Sequence, residues 1–160
     1  MRIVVAAIGR LKAGPDQELC IRYWQRFEVV GRSLGLGPVT LIEMPESRAA
    51  MRDARIADEA GRLLKAAPAE AVIIALDERG RGLSSADFAD LIRTRRDAGA
   101  KAAAFLIGGA DGHGRAVLDA ATVTLSLSAM TLPHGLARIV LVEQLYRAAT
   151  ILSGHPYHRV

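Results

Sequence analysis

The sequence predicts an α/β fold built on a mainly parallel sheet with helices on both faces. Short apolar runs rich in β-branched residues alternate along its length with segments of helical pattern. No internal repeat, low-complexity tract or dividing linker interrupts the 160 residues. A single domain over residues 1–160 is therefore expected, large enough to bury roughly 70% of its unfolded surface.

The first strand is expected near Ile3–Ile8, in the apolar opening of the chain, and a helix follows near Asp16–Gly31. A second strand near Val39–Met44 precedes a helix near Ala49–Ala66, and a third near Ala71–Leu76 precedes one near Ser84–Ala98. Ser84 and Asp87 have capping-box spacing, with the serine on a free backbone N–H and the carboxylate reaching back. The fourth strand, near Ala102–Ile107, leads to a short helix near Gly114–Ala120; the fifth, near Val123–Ser128, leads to a long one near His134–Leu152. Gly154 suits the stop of that last helix, and Pro156 prevents its resumption.

Half of the residues are apolar (51%), yet no apolar run approaches the ~20 needed to cross a bilayer. No signal-peptide cleavage pattern follows the first strand. The single cysteine, Cys20, leaves no internal disulfide and no thiolate cluster. A soluble cytoplasmic protein is the expectation. The net charge of +4 favours a polyanionic partner, because Lys and Arg release counterions from phosphates. Only three of the 21 basic residues are lysines (Lys12, Lys65, Lys101). Arginine's bidentate grip on phosphate suits RNA, and a GC-rich genome would give the same bias.

Ligands of open parallel sheets collect at the carboxyl ends of the strands. Three consecutive strands run there into unusual loops: Asp77–Gly82, Gly108–Gly114 and Ser128–Pro133. One pocket lined by all three is expected. The glycine loop fits neither a Walker A loop, lacking the Lys-Ser/Thr pair, nor the dinucleotide fingerprint. It is either a tight turn or a close backbone approach to a ligand. Ser126, Ser128 and Thr131 are small polar residues between Leu, Met and Pro walls, a lining that can hold an adenine, and Pro133 suits a helix's first turn. No Gly-flanked nucleophile elbow accompanies these serines, which argues against a hydrolase. Asp77 and Glu78 have no further metal-spaced ligands and read as turn-forming or paired with Arg79 and Arg81.

The last helix is apolar in nearly every direction, with Ile139, Val142, Leu145 and Ala149 among its large set. Such a helix needs cover on nearly every side, from its own monomer or from a second subunit. Glu143 and Arg147 fit an i,i+4 pair, or Arg147 meets phosphate. The tail His155-Pro156-Tyr157-His158-Arg159 joins a stacking ring, a titratable base and a fixed cation, a combination suited to RNA. Three histidines (His134, His155, His158) without carboxylate or thiolate support make a poor zinc set. His113 reads as a solvated loop residue.

Taken in order, Leu76-Asp77-Glu78-Arg79-Gly80, Phe105–Gly112, Leu125–His134, Glu143–Ala148 and His155–Arg159 resemble the bacterial large-subunit ribosomal RNA methyltransferase H family, a branch of the knotted SPOUT methyltransferases. Ile8-Gly9-Arg10-Leu11-Lys12 extends the resemblance to the start of the chain. The resemblance implies a C-terminal trefoil knot, which periodicity cannot predict. It implies S-adenosylmethionine as cofactor, held by Leu76, Gly108, Gly109 and the loop Ser128, Ala129, Met130, Thr131, Leu132 and Pro133. It implies methylation of N3 of a pseudouridine in 23S ribosomal RNA on the assembled ribosome, by a homodimer with no metal and no membrane. Arg10, Arg147, Tyr157 and Arg159 are then the candidates for RNA binding, and His158, Tyr157 and Arg159 for catalysis. Two rivals stand beside this reading: a SPOUT methyltransferase acting on another RNA, and a non-catalytic basic RNA-binding factor for ribosome assembly. Cofactor binding separates the enzymes from the binder.

Overall fold

The computed structural model describes residues 1–157, so His158 and Arg159 lie outside the described residues. Among the described residues five strands, β1 (Arg2–Ile8), β2 (Val39–Met44), β3 (Val72–Gly82), β4 (Ala102–Ile107) and β5 (Val123–Ser126), form one all-parallel sheet in the order β2-β1-β4-β3-β5. Five helices of the same residues accompany them: α1 (Pro15–Ser33), α2 (Arg52–Ala66), α3 (Ser85–Asp97), α4 (Arg115–Ala120) and α5 (His134–Ser153). The expected α/β class and alternation hold.

Period-two alternation divides the core. Ile3, Val5 and Ala7 of β1, with Ala103, Phe105 and Ile107 of β4, face a layer built from α1, α3 and α5. Val4, Ala6 and Ile8, with Ala104 and Leu106, face Ala60 and Leu63 of α2 and Val117 of α4. Strands covered on both sides need apolar residues at every position, which is why β4 reads Ala-Ala-Ala-Phe-Leu-Ile and is buried throughout.

The third strand departs from expectation. Its regular pairing with β5 ends at Leu76, the chain swings out through Asp77–Gly80, and Arg81 and Gly82 pair with β5 again. Asp77 Oδ1 accepts the Arg79 N–H at 2.9 Å and shapes the excursion. Gly80 lies so close to β5 that a Cβ there would stand 2.6 Å from the Leu125 carbonyl carbon. Asp77–Gly82 is therefore a strand extension wrapped against β5, where the sequence reads as a free loop.

The ends of the helices follow local chemistry. The Ser84 hydroxyl accepts the Asp87 N–H at 3.1 Å and itself donates to the Asp87 carboxylate at 2.7 Å. The carboxylate thus bonds the cap's side chain where the capping box would have it bond the backbone. Gly154 closes α5 in the left-handed conformation at φ 68°, with the His155 N–H on the Thr150 carbonyl at 2.9 Å.

α5 lies between α1 and α3. Leu141, Leu145, Ala148 and Ala149 enter the sheet-side core, and Ile139 and Val142 pack with Cys20 of α1. Ile139, Val142, Leu145 and Ala149, for which either the monomer or a second subunit could supply cover, are thus buried within one chain. Arg138 is buried too, paired with Glu43 of β2 and donating to the Gly9 carbonyl at 3.1 Å. Glu43 also accepts the Leu11 N–H at 3.1 Å, so the pair fixes the β1–α1 loop to the first turns of α5.

Gly80→Ala should destabilise the fold by about 1–3 kcal/mol, because neither the Cβ nor the Leu125 backbone has room to move. Gly82→Ala, with nothing within 4 Å of its Cβ, should stay within about 1 kcal/mol of the parent. Equal urea midpoints for the two variants would contradict the close approach.

Candidate functional site

The carboxyl ends of β3, β4 and β5 open on one cavity of about 470 Å³, within the range of small-molecule sites. β3 contributes Leu76, Asp77 and Glu78. β4 and the loop after it contribute Ile107, Gly108, Gly109, Ala110 and His113. Ser126, Leu127 and Ser128, then Met130–Pro133, form the opposite wall, and His134 and Ala137 of α5 complete it. The pocket expected at these three strand ends is present. Of the expected cofactor residues, Leu76, Gly108, Gly109, Ser128, Met130, Thr131, Leu132 and Pro133 line it, and Ala129 does not.

Two serines set the shape of the β5–α5 loop. The Ser126 hydroxyl donates to the Ser128 carbonyl at 2.8 Å, and the Ser128 hydroxyl accepts the Met130 N–H at 2.9 Å. Pro133 precedes the first turn of α5 as its N-cap, and its carbonyl accepts the Ala137 N–H at 2.9 Å. Among the described residues no side chain caps this helix, whose first turn opens beside the cavity.

The glycines after β4 serve the loop's own packing. A Cβ on Gly109 would meet Glu59 Oε2 at 2.5 Å and Ile8 at 3.0 Å, both belonging to the floor beneath the loop. A Cβ on Gly108 would stand 3.1 Å from the Gly112 carbonyl carbon, and the Gly112 N–H bonds the Gly109 carbonyl at 3.0 Å. Asp111 ties the loop to α2 through Arg55 at 2.8 Å and Arg52 at 3.3 Å. The hydrogen bond from Arg55 holds the Asp111 carboxyl below its usual range. Glu59, buried on α2, accepts the Ser47 N–H at 2.8 Å and anchors the segment before that helix. The sequence hid Glu59, because an acid on a charged helix looks solvated.

His113 corrects another expectation. Its ring lines the cavity, with Nε2 3.2 Å from the Leu106 carbonyl and Nδ1 buried without a partner among the described residues. Burial pushes the imidazole below its ordinary pKa, against the opposing pull of Asp77 and the Leu106 and Leu76 carbonyls. Of the two alternatives for Asp77 and Glu78, Asp77 takes the turn-forming one through the Arg79 N–H, and among the described residues neither carboxylate forms an ion pair with Arg79 or Arg81.

Of the predicted RNA residues, Arg10, Arg147 and Tyr157 lie elsewhere, and Arg159 is outside the described residues. Arg10 is exposed after β1 and does not line the cavity. Arg147 makes the i,i+4 pair, with Nε and Nη2 at 3.0 and 2.7 Å from Glu143 Oε1. The Tyr157 hydroxyl donates to the same oxygen at 3.1 Å. Its ring packs 4.6 Å from that of Tyr146, under the Arg147 guanidinium at 5.1 Å. Burial, with Tyr23 and Glu143 alongside, raises the phenol's pKa and keeps it a donor.

The buried imidazole has a pH consequence. Above about pH 6.5 both folded and unfolded chains hold His113 neutral, and it contributes nothing to pH dependence. As pH falls below that value the unfolded chain binds a proton that the folded chain resists, so stability drops until the folded pKa is passed. His113→Asn should therefore lose less stability than the parent between about pH 7.5 and pH 5.5 in urea titrations. An identical loss in both proteins would show that His113 is not the group responsible.

Comparison with known proteins agrees with this architecture. A family model described as "Predicted SPOUT methyltransferase" matches residues 1–158. A protein of Xanthobacter autotrophicus named "Ribosomal RNA large subunit methyltransferase H" is 54% identical over 159 residues, covering 99% of each chain. One of the same name from Dinoroseobacter shibae is 51% identical over 160 residues, covering 100% of each. A solved structure titled as a hypothetical protein shares the fold at TM-score 0.51 and 14% identity, over 94% of this chain and 80% of that one. With the family matched almost end to end and relatives alike over their whole lengths, the chain belongs to the SPOUT methyltransferases.

Proposed function

We propose that this chain, a single domain over residues 1–160, transfers a methyl group from S-adenosylmethionine to N3 of a pseudouridine in 23S ribosomal RNA. It acts in the cytoplasm on the assembled ribosome, as a homodimer. Membership of a methyltransferase family and the name borne by its relatives support methylation of large-subunit RNA. The observation that carries the cofactor assignment is the cavity's chemistry. Among the described residues lining it there is no Lys or Arg, although the chain holds 21. A nucleotide's phosphates would find no cation among these residues, whereas an adenosine bearing a sulfonium fits them. Leu76, Leu127, Leu132 and Pro133 offer apolar surface to a base, and the N–H groups opening α5, uncapped by any side chain among the described residues, suit a carboxylate.

The bound cofactor supplies a methyl carbon already activated by its sulfonium, so no metal is required. The protein's tasks are alignment and exclusion of water. Leu76 and the Ser126–Pro133 loop hold the methyl donor in place. A group outside the cavity must present the target base and take its N3 proton. His158 is the candidate acceptor, and Arg147 and Arg159 the candidates for a positive field; His158 and Arg159 lie outside the described residues.

Support for a homodimer comes from the position of Tyr157 and Arg147, which do not line the cavity of their own chain. An arrangement in which one subunit's tail meets the other's cavity would unite them. Leu136, exposed on α5, offers apolar surface for the contact. The trefoil knot belongs to the same proposal, supported by the Asp77–Gly82 segment lying against β5 at Gly80.

Two outcomes are expected. Ala137→Leu keeps a good helix former in α5 but fills the cavity, and should weaken S-adenosylmethionine binding at least about tenfold in calorimetry. Unchanged affinity would put the cofactor elsewhere. Deleting the gene should remove N3-methylpseudouridine from ribosomal RNA while its parent pseudouridine remains, read by nucleoside mass spectrometry. An unaltered nucleoside profile would overturn the substrate assignment.

A further inference from the structure

Among the described residues, the sign of charge in the cavity is opposite to that of the protein. The chain carries +4 overall, yet the charged side chains that these residues place on the cavity wall are the carboxylates Asp77 and Glu78. Neither is neutralised by an ion pair among the described residues. Asp77 Oδ1 is engaged by the Arg79 N–H, which fixes the carboxylate at the β3 turn and leaves Oδ2 without a hydrogen-bond partner among the described residues. His113, on the same wall, contributes no compensating charge at neutral pH because burial favours its neutral form.

We propose that Asp77 and Glu78 are specificity-determining residues that read the charge on the ligand's sulfur, favouring the sulfonium cofactor over its neutral thioether product. The inference rests on the cofactor assignment above. During transfer the bond from the methyl carbon to N3 forms as the carbon–sulfur bond breaks. The bonding pair stays on sulfur, and the N3 proton leaves to an acceptor. S-adenosylmethionine and S-adenosylhomocysteine therefore share adenosine, ammonium and carboxylate groups. They differ by one methyl group and one positive charge.

Two carboxylates in a partly enclosed wall attract that charge before transfer and lose their hold on it afterwards. The wall thereby favours loading of substrate cofactor and release of product at the same site. Asp77 should carry most of the effect, since it is half-buried while Glu78 is exposed and screened by solvent. The preference should also fall as salt rises.

Calorimetry with both ligands tests this in the parent, Asp77→Asn and Glu78→Gln. Asparagine keeps an Oδ1 that can accept the Arg79 N–H, so the turn persists while the charge is removed. The expected result is a loss of about 5- to 10-fold in S-adenosylmethionine affinity for Asp77→Asn, against less than about twofold for S-adenosylhomocysteine. Glu78→Gln should change the ratio in the same direction by less. Equal losses for both ligands would give Asp77 a structural role and overturn the proposal, as would an unchanged ratio in both variants. Failure of the parent to bind either ligand would instead overturn the cofactor assignment itself.

Discussion

The contact between Gly80 and the Leu125 backbone is the constraint on which the site's geometry depends. A chain leaving a parallel sheet normally heads straight into a connection, but β3 returns to β5 after its excursion. That return needs a residue with no side chain at Gly80, where a Cβ would overlap the Leu125 carbonyl carbon. It holds Leu76, Asp77 and Glu78 on one wall of the cavity while β5 delivers Ser126–Pro133 to the other. Without it the strand ends would still converge, but the gap between them would not be bounded.

Around that contact the remaining loops are fixed by polar groups drawn from elements distant in sequence. Asp111 reaches back to Arg52 and Arg55, Glu59 supports Gly109 from below, and Arg138 with Glu43 holds the β1–α1 loop to α5. The Arg138–Glu43 pair, buried on its arginine side, is weak evidence for net stability, but its contacts to the Gly9 carbonyl and the Leu11 N–H join these elements. The loops lining the cavity are thus supported on a rigid sheet. That suits a reaction in which the protein mainly aligns two reactants.

Much of this was legible in the sequence because it depends on local pattern. β-branched apolar runs gave the five strands, and Gly154 gave the end of α5. The convergence of three loops followed from a general property of parallel sheets. Tertiary packing hid the rest. Whether α5's apolar residues meet their own core or another subunit depends on α1 and α3 lying against it, which no periodicity reveals. His113 looked solvated because its burial comes from the strand ends it folds back over. Gly109 lines the cavity, and the space its missing Cβ leaves is bounded by Glu59, fifty residues earlier in the chain, which local pattern does not reveal.

The central claim is that one cavity, bounded by the ends of β3, β4 and β5, is where the methyl donor binds. Backbone amide chemical shifts recorded while S-adenosylmethionine is titrated into the isotopically labelled protein test it most directly. The account predicts the largest shifts in Leu76–Glu78, Gly108–His113 and Ser126–His134, with α1 near Glu28 and the turn Gly35–Gly37 left unmoved. Shifts centred on Glu28, Arg32 and Leu36, where a second cavity lies against α1, with the three strand ends silent, would contradict it.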